Sequence, residues 1–238
     1  MSTRCHVVDG WRDGESITLD RDTSRHLARV LRVRPGDGVE LFDGLGGVAD
    51  AEVCEVTKDA VRVNPARRRE TARPKPFTTL VQALIRPQPM DYLLRKATEL
   101  GVSAVQPVLT ERCVARTRER PARWRKTIIS AAEQCGANWL PEIRPVRSWT
   151  EILAGWAEDE RVLLCALSES ARPLKEVLRR EPAPARVAVL VGPEGDLTPA
   201  ERDAALNSGA IPVSLGSLTL RAETASLYAL SALRYEFG

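Results

Sequence analysis

Two segments near the end of the chain hold residues whose types and spacing suit ligand chemistry. The first runs Val187-Ala188-Val189-Leu190-Val191-Gly192-Pro193-Glu194-Gly195-Asp196-Leu197-Thr198-Pro199-Ala200-Glu201. Its apolar start reads as a strand and its Gly/Pro stretch as a loop. Thr198 and Glu201 form a T-x-x-E capping box with Pro199 at the first helical position, which marks a helix start. Gly192 and Gly195 let backbone amides approach a ligand closely, while Pro193 stiffens the loop. A tight strand-to-helix turn has no need of a charged Glu194, so that residue points to function. In the second segment, Val213-Ser214-Leu215-Gly216-Ser217-Leu218-Thr219-Leu220-Arg221-Ala222-Glu223-Thr224-Ala225, a strand again reaches a glycine. Arg221 and Glu223 then stand at a helix start. A glutamate there is also plain helix-dipole chemistry; it is the recurrence of a strand-end loop so close to the first that suggests a shared site.

Several familiar chemistries are excluded. The chain has no GxxxxGK[ST], so a P-loop nucleotide site is not signalled, and no GxGxxG or GxSxG follows a strand. Its five cysteines (5, 54, 113, 135 and 165) are scattered and form no CxxC, and His6 and His26 are its two histidines. That pattern supports neither a disulfide framework nor a metal site. The adjacent Cys5-His6 reads as strand packing.

The elements that must position these loops fall into two sets. Residues 1–72 read as short strands around one helix: Arg4–Val8, Ser16–Leu19, Val39–Phe42, Val48–Val56 and Val61–Val63 are extended, and Asp20–Leu31 has helical spacing. This is the pattern of a small β-barrel. Pro65–Pro76 combines prolines with charge, as a linker does. From Phe77, strands (Thr79–Ile85, Val102–Leu109, Arg161–Leu167, Val187–Val191, Ile211–Leu215) alternate with helices (Asp91–Leu100, Arg123–Cys135, Trp149–Trp156, Arg172–Arg180, Pro199–Asn207, Ala222–Tyr235). Such alternation predicts a largely parallel sheet with helices on both faces, hence an α/β domain over 73–238.

The 238 residues are 43% hydrophobic, ample for a buried core, and carry a net charge of +3. No apolar run is long enough for a membrane span, and Met1–His6 leads into no apolar signal segment, so a cytoplasmic location is expected. The charge is concentrated: Arg112, Arg116, Arg118, Arg120, Arg123, Arg125 and Lys126 stand against Glu119 within 112–126. Such a run suits phosphate contact or a solvated helix face. On the N-terminal helix Arg25, Arg29 and Arg32 fall at i, i+4 and i+7, so one face could meet RNA phosphates.

Taken together, Gly192-Pro193-Glu194-Gly195, Leu215-Gly216 and Leu220-Arg221-Ala222-Glu223-Thr224-Ala225 resemble the knotted SPOUT methyltransferases. More narrowly, the chain is similar to the ribosomal small subunit methyltransferase E family, the 16S rRNA uracil-N3-methyltransferases. Arg25-His26-Leu27-Ala28-Arg29-Val30-Leu31-Arg32 with Gly36-Asp37 matches that family's N-terminal PUA-like domain. Lys96-Ala97-Thr98-Glu99-Leu100-Gly101-Val102, Thr110-Glu111-Arg112 and Glu133-Gln134-Cys135-Gly136 match its later segments, so the likeness covers nearly the whole chain. The chain departs from the family pattern at Asp196, where a second glycine is usual, at Ala137, where an arginine is common, and at Arg86-Pro87-Gln88-Pro89.

The resemblance implies a C-terminal α/β trefoil knot, a PUA-like β-barrel over 1–72, a homodimer, and S-adenosylmethionine as methyl donor to 16S rRNA in the 30S subunit. It implies cofactor contacts from Leu167 and Ser168 after the first of three ligand strands, from Gly192, Pro193, Glu194 and Gly195, and from Leu215, Gly216, Leu218 and Leu220. RNA contacts are expected from Arg25, Arg29, Arg32, Arg112 and Arg116, with no metal and no membrane. Uracil N3 carries a proton that must leave; a carboxylate can accept it or a cation can stabilise the developing anion. Arg221 suits the second role. Glu223 suits the first or else orients Arg221. A SPOUT enzyme acting on transfer RNA, or a PUA-like RNA-binding protein without catalysis, would share parts of this pattern.

Overall fold

The computed structural model describes residues 3–8, 10–114, 121–157, 160–166, 168, 170–180 and 182–238. It divides into one unit of Met1–Arg73 with Ile129–Leu140 and a second of Pro74–Ile128 with Pro141–Gly238. Sequence patterning places the boundary after residue 72 and assigns 129–140 to the second domain. The segment joins the first unit because Ala132 buries its methyl against Phe42 and Val48, and the Trp139 indole donates to the Thr71 carbonyl at 3.2 Å.

In the first unit the strands are β1 (Thr3–His6), β2 (Ile17–Thr18), β3 (Gly38–Phe42), β4 (Gly47–Val56), β5 (Val61–Pro65) and β6 (Arg69–Glu70). They form one sheet in the order β1-β3-β4-β5-β2, with β6 pairing β4. Alternation drives it: Val61 and Val63 are buried while Arg62 and Asn64 face water. The stretch expected as a free linker is therefore partly a strand. Buried Asp43 explains why. Its Oδ1 accepts from the Leu45 and Gly47 amides at 2.7 and 2.9 Å, and its Oδ2 pairs with Arg68 at 2.6 Å. A buried carboxylate needs such partners, and they draw residues 68–70 onto the sheet.

The helix expected over Asp20–Leu31 divides. Helix α1 (Arg21–Arg25) is capped by Asp20, and a π-helical turn follows over His26–Leu31. Its wider winding changes which arginines share a face. Arg25 and Arg29 both reach Asp59, at 3.1 and 3.4 Å, whereas Arg32 lies past the helix end at φ 56°. The expected single face of three arginines is thus a face of two.

The second unit is built on β7 (Phe77–Ala83), β8 (Ala104–Leu109), β9 (Glu142–Ile143), β10 (Arg147–Ser148), β11 (Glu160–Cys165), β12 (Arg172–Pro173), β13 (Arg186–Val191) and β14 (Ile211–Ser214). Every pairing among them is parallel, in the order β10-β8-β7-β13-β11-β14-β12, with β9 beside β8. Val187–Val191 of β13 are all buried, the unbroken apolar run of a strand covered on both faces. The helices are α2 (Pro87–Glu99), α3 (Pro121–Cys135, whose residues from Ile129 on belong to the first unit), α4 (Trp149–Leu153), α5 (Leu174–Arg179), α6 (Pro199–Asn207) and α7 (Ala222–Phe237). Several bounds differ from the periodicity reading. Helix α2 starts four residues early, because proline is well tolerated in a first turn. Arg172–Pro173 pair with Val213–Ser214 instead of opening α5, and α4 stops at Leu153.

One buried polar contact ties α7 to the sheet. Gln82 on β7 and Ser226 on α7 have no exposed surface, and the Ser226 hydroxyl donates to the Gln82 carbonyl oxygen. Ser226→Ala should cost about 1–3 kcal/mol by leaving that oxygen without a donor, whereas Gln82→Met with Ser226→Ala should recover most of the loss. Urea denaturation of the three variants measures the cycle.

Candidate functional site

Parallel strands deliver their C-terminal ends to one edge, where ligands of open α/β sheets bind. Along that edge of the second unit lies a cavity of about 550 Å³. The end of β11 contributes Cys165 and Ala166, the end of β13 and its loop Val191–Glu194 and Asp196, and the stretch from β14 into the first turn of α7 Val213, Leu215, Gly216 and the run Leu218–Glu223. Arg86 and Pro89 close it from the start of α2. Arg86 and Arg221 bring positive charge to this lining; Glu194, Asp196 and Glu223 bring negative charge.

The loop after β13 is held in detail. A Cβ at Gly192 would stand 3.3 Å from both Leu197 Cγ and the Leu197 nitrogen, so the glycine permits close packing of the loop on itself. The Glu194 carboxylate accepts from the Arg86 amide at 3.2 Å, satisfying an unpaired donor at the α2 start. Asp196 has φ 60°, a left-handed conformation that suits glycine and, next, Asp or Asn. Its carboxylate compensates by accepting from the Leu197 amide at 2.7 Å and pairing with Arg202 at 3.3 Å. The capping box is present as read: the Thr198 hydroxyl accepts from the Glu201 amide at 3.2 Å, and Glu201 accepts from the Thr198 amide at 2.9 Å.

Helix α7 enters the site differently. Arg221 is its N-cap residue but supplies no side-chain cap, and the Arg221 carbonyl accepts the first helical bond from Ala225 at 2.8 Å. The first-turn amides are therefore left as a positive helix end against the cavity. Arg221 is exposed and Glu223 half-buried, and among the described residues neither forms an ion pair. Cys165 is held as a neutral thiol, its pKa pushed up to about 12 by burial. It is a packing surface and not a thiolate.

Of the residues singled out from sequence, the cavity brings together Gly192, Pro193, Glu194, Leu215, Gly216, Leu218, Leu220, Arg221 and Glu223. Gly195 is not among the lining residues. The space for its missing side chain faces Arg112, whose Cβ would lie 3.3 Å from a Cβ at 195. The strand expected to end at Leu167 ends at Cys165, so the lining residues on that loop are Cys165 and Ala166. Ser168 instead pairs its hydroxyl with Ser170 at 2.9 Å. Leu167 and Arg116 lie outside the described residues. Arg112 is exposed and donates to the Gly195 carbonyl at 3.0 Å. Sequence reasoning missed Arg86 and Cys165 as lining residues. The signal for Arg86 was the Arg-Pro pair that opens α2; for Cys165 no signal existed beyond its place at a strand end. Among the described residues no group of His, Cys, Asp and Glu could hold a metal ion, and no helix is long and apolar enough to cross a membrane.

The left-handed position gives a direct test. Asp196→Gly should stay within about 0.5 kcal/mol of the parent, because glycine takes positive φ freely. Asp196→Val should lose about 2 kcal/mol, since a branched side chain is strained there and both carboxylate contacts vanish. Chemical denaturation decides.

Comparison with known proteins adds a second line. Residues 73–234 match the model of an RNA methyltransferase domain, and residues 19–65 match that of an RNA methyltransferase PUA domain. Ribosomal RNA small subunit methyltransferase E of Synechocystis is 33% identical over 220 residues, which cover 92% of this chain and 72% of that protein. The protein of the same name from Mycobacterium bovis is 31% identical over 229 residues, covering 92% and 86%. The crystal structure of a ribosomal RNA small subunit methyltransferase E from Neisseria gonorrhoeae, bound to S-adenosyl methionine, superposes with a TM-score of 0.90 at 33% identity, covering 99% of this chain and 98% of that one.

Proposed function

This chain belongs to the ribosomal RNA small subunit methyltransferase E family, and we propose that it methylates N3 of a uridine in 16S ribosomal RNA of the 30S subunit with S-adenosylmethionine as donor. The observation that carries this reading is the cavity at the strand ends. Its volume of about 550 Å³ suits a nucleoside-sized ligand. Gly192 and Gly216 offer backbone without side chains, and Leu218 and Leu220 offer apolar surface to an adenine. The open amides at the α7 start suit a carboxylate, and Glu194, Asp196 and Glu223 suit a sulfonium. When bound, the cofactor supplies an electrophilic methyl group.

The residues of the chain then have to prepare the acceptor. Glu223 accepts the N3 proton of the uracil, and Arg221 stabilises the negative charge that its loss spreads onto the carbonyl oxygens. The α7 N-terminus adds partial positive charge on the same side. Neither residue is engaged in an ion pair with the other, which leaves both available to substrate. The base edge must be exposed, so the target nucleotide is unpaired or flipped out.

Wider features of the family follow as proposals. Residues 1–72 form a PUA-like barrel that binds RNA, and 73–238 form the catalytic domain with a trefoil knot. The insertion of β13 between β7 and β11, with β14 beyond β11, supports a threaded path. The protein acts as a homodimer in the cytoplasm. Its α7 presents Arg221, Thr224, Tyr228, Ser231 and Tyr235 as an exposed stripe at helical spacing, with Tyr228 51% and Tyr235 84% exposed, and that stripe starts at the cavity.

The direct test is methylation of 30S subunits that lack the modification, followed by nucleoside mass spectrometry; 3-methyluridine is the expected product, and its absence would sink the reading. Within that assay, Arg221→Ala should slow single-turnover methyl transfer about a hundredfold while cofactor affinity changes little, the mark of an interaction made in the transition state. A loss of thermal stability with an unchanged rate would make Arg221 structural. For RNA, replacing Arg25 and Arg29 together by alanine should flatten the salt dependence of binding by about 0.7 for each phosphate that is no longer neutralised. An unaltered slope would remove that face from the interface.

A further inference from the structure

The loop that follows β13 is tied across the strand ends to the turn that follows β8, although β7 lies between the two strands. Two contacts make the bridge. Arg112 Nη1 donates to the Gly195 carbonyl at 3.0 Å, and the Glu111 amide donates to Glu201 Oε1 at 2.8 Å. Glu201 is the same carboxylate that closes the capping box on Thr198. The turn itself is a closed unit, since the Cys113 amide donates to the Thr110 carbonyl at 3.2 Å and the Thr110 amide to Cys113 Sγ at 3.4 Å.

Gly195 has no side chain in the cavity, but Glu194 and Asp196 on either side of it line that cavity. Holding the carbonyl of the residue between them constrains the backbone from which both carboxylates project. The contact also explains the glycine. A side chain at 195 would meet the Arg112 stem at 3.3 Å, so glycine leaves room for the arginine and not for the ligand.

We propose that Arg112 is a positioning residue for the cofactor loop, acting through the Gly195 carbonyl. The inference rests on S-adenosylmethionine being the ligand of this cavity. It differs from the phosphate contact expected of Arg112 as the first member of the basic run, because it requires an effect with no RNA present. A guanidinium suits the task. Its charge strengthens a hydrogen bond to a carbonyl, and its long stem packs over the glycine.

The experiment uses the full chain without RNA. Titration calorimetry with S-adenosylmethionine should give a Kd raised about tenfold for Arg112→Ala, the worth of one charge-assisted hydrogen bond. Arg112→Lys should recover part of that loss. Gly195→Ala should also weaken binding, because its Cβ would press on the Arg112 Cβ at 3.3 Å and disturb the guanidinium's contact with the carbonyl. Hydrogen–deuterium exchange should show faster exchange at residues 192–198 in Arg112→Ala, with the melting temperature unchanged. Wild-type affinity and wild-type exchange in Arg112→Ala would overturn the proposal. So would a fall in melting temperature of the size that explains the weaker binding. If the parent chain does not bind the cofactor at all, the proposed function fails, while the exchange measurement still decides whether Arg112 holds the loop.

Discussion

Parallel pairing throughout the sheet of the second unit is the constraint from which its chemistry follows. Parallel strands all finish at one edge, so the segments after β11, β13 and β14 arrive side by side however far apart they lie in sequence. Antiparallel pairing of any two would have sent one loop to the opposite edge and left the cavity open. The cost is that each strand needs a crossover and two covered faces. The buried β13 and the helices around it meet that requirement, and the Gln82–Ser226 contact brings the last helix to the centre of the sheet.

Within that frame the loop geometry is set by side-chain contacts to backbone amides and to one another. Glu194 closes an unpaired amide of α2, Arg202 and the Leu197 amide hold Asp196 in a left-handed conformation, and Glu201 ties Thr198 to the Glu111 amide. Asp196 shows how this works. Where the resemblance leads one to expect a second glycine, the chain carries a residue that can also occupy positive φ and that adds two contacts glycine lacks. Asp196 thus takes the left-handed backbone that glycine adopts freely and adds anchoring contacts.

The first unit solves a different problem with the same physics. Its short strands offer little apolar surface each, and a buried carboxylate, Asp43, organises the β3–β4 turn through two backbone amides and one arginine. Burial without those partners would be costly, so the charge enforces one arrangement of the turn and of residues 68–70. The basic face of this helix is narrower than helical spacing suggests, because Arg25 and Arg29 share Asp59 and Arg32 lies past the helix end in a left-handed conformation.

Local patterns were enough to read the alternation of strands and helices, the two strand-end loops and the capped start of α6. These rest on periodicity, capping residues and glycine placement, all of which act over a few neighbouring residues. The same reading pointed to Arg221 and Glu223, since their place at a helix start is itself a local property. The order of strands, the role of Gly195 and the arrival of Arg86 and Cys165 at the cavity were not local. Gly195 illustrates the difference. By sequence it is a loop glycine beside a ligand, yet its partner is Arg112, far back in the chain, and no spacing rule connects the two. The strand pairing of Arg69–Glu70 was decided in the same way, by the contact of Arg68 with Asp43 that exists once the sheet has formed. Sequence determined the longer strands and helices and where chemistry could sit; tertiary structure decided the short paired strands and which residues meet at the cavity, because burial and hydrogen-bond partnership depend on distance in space and not along the chain.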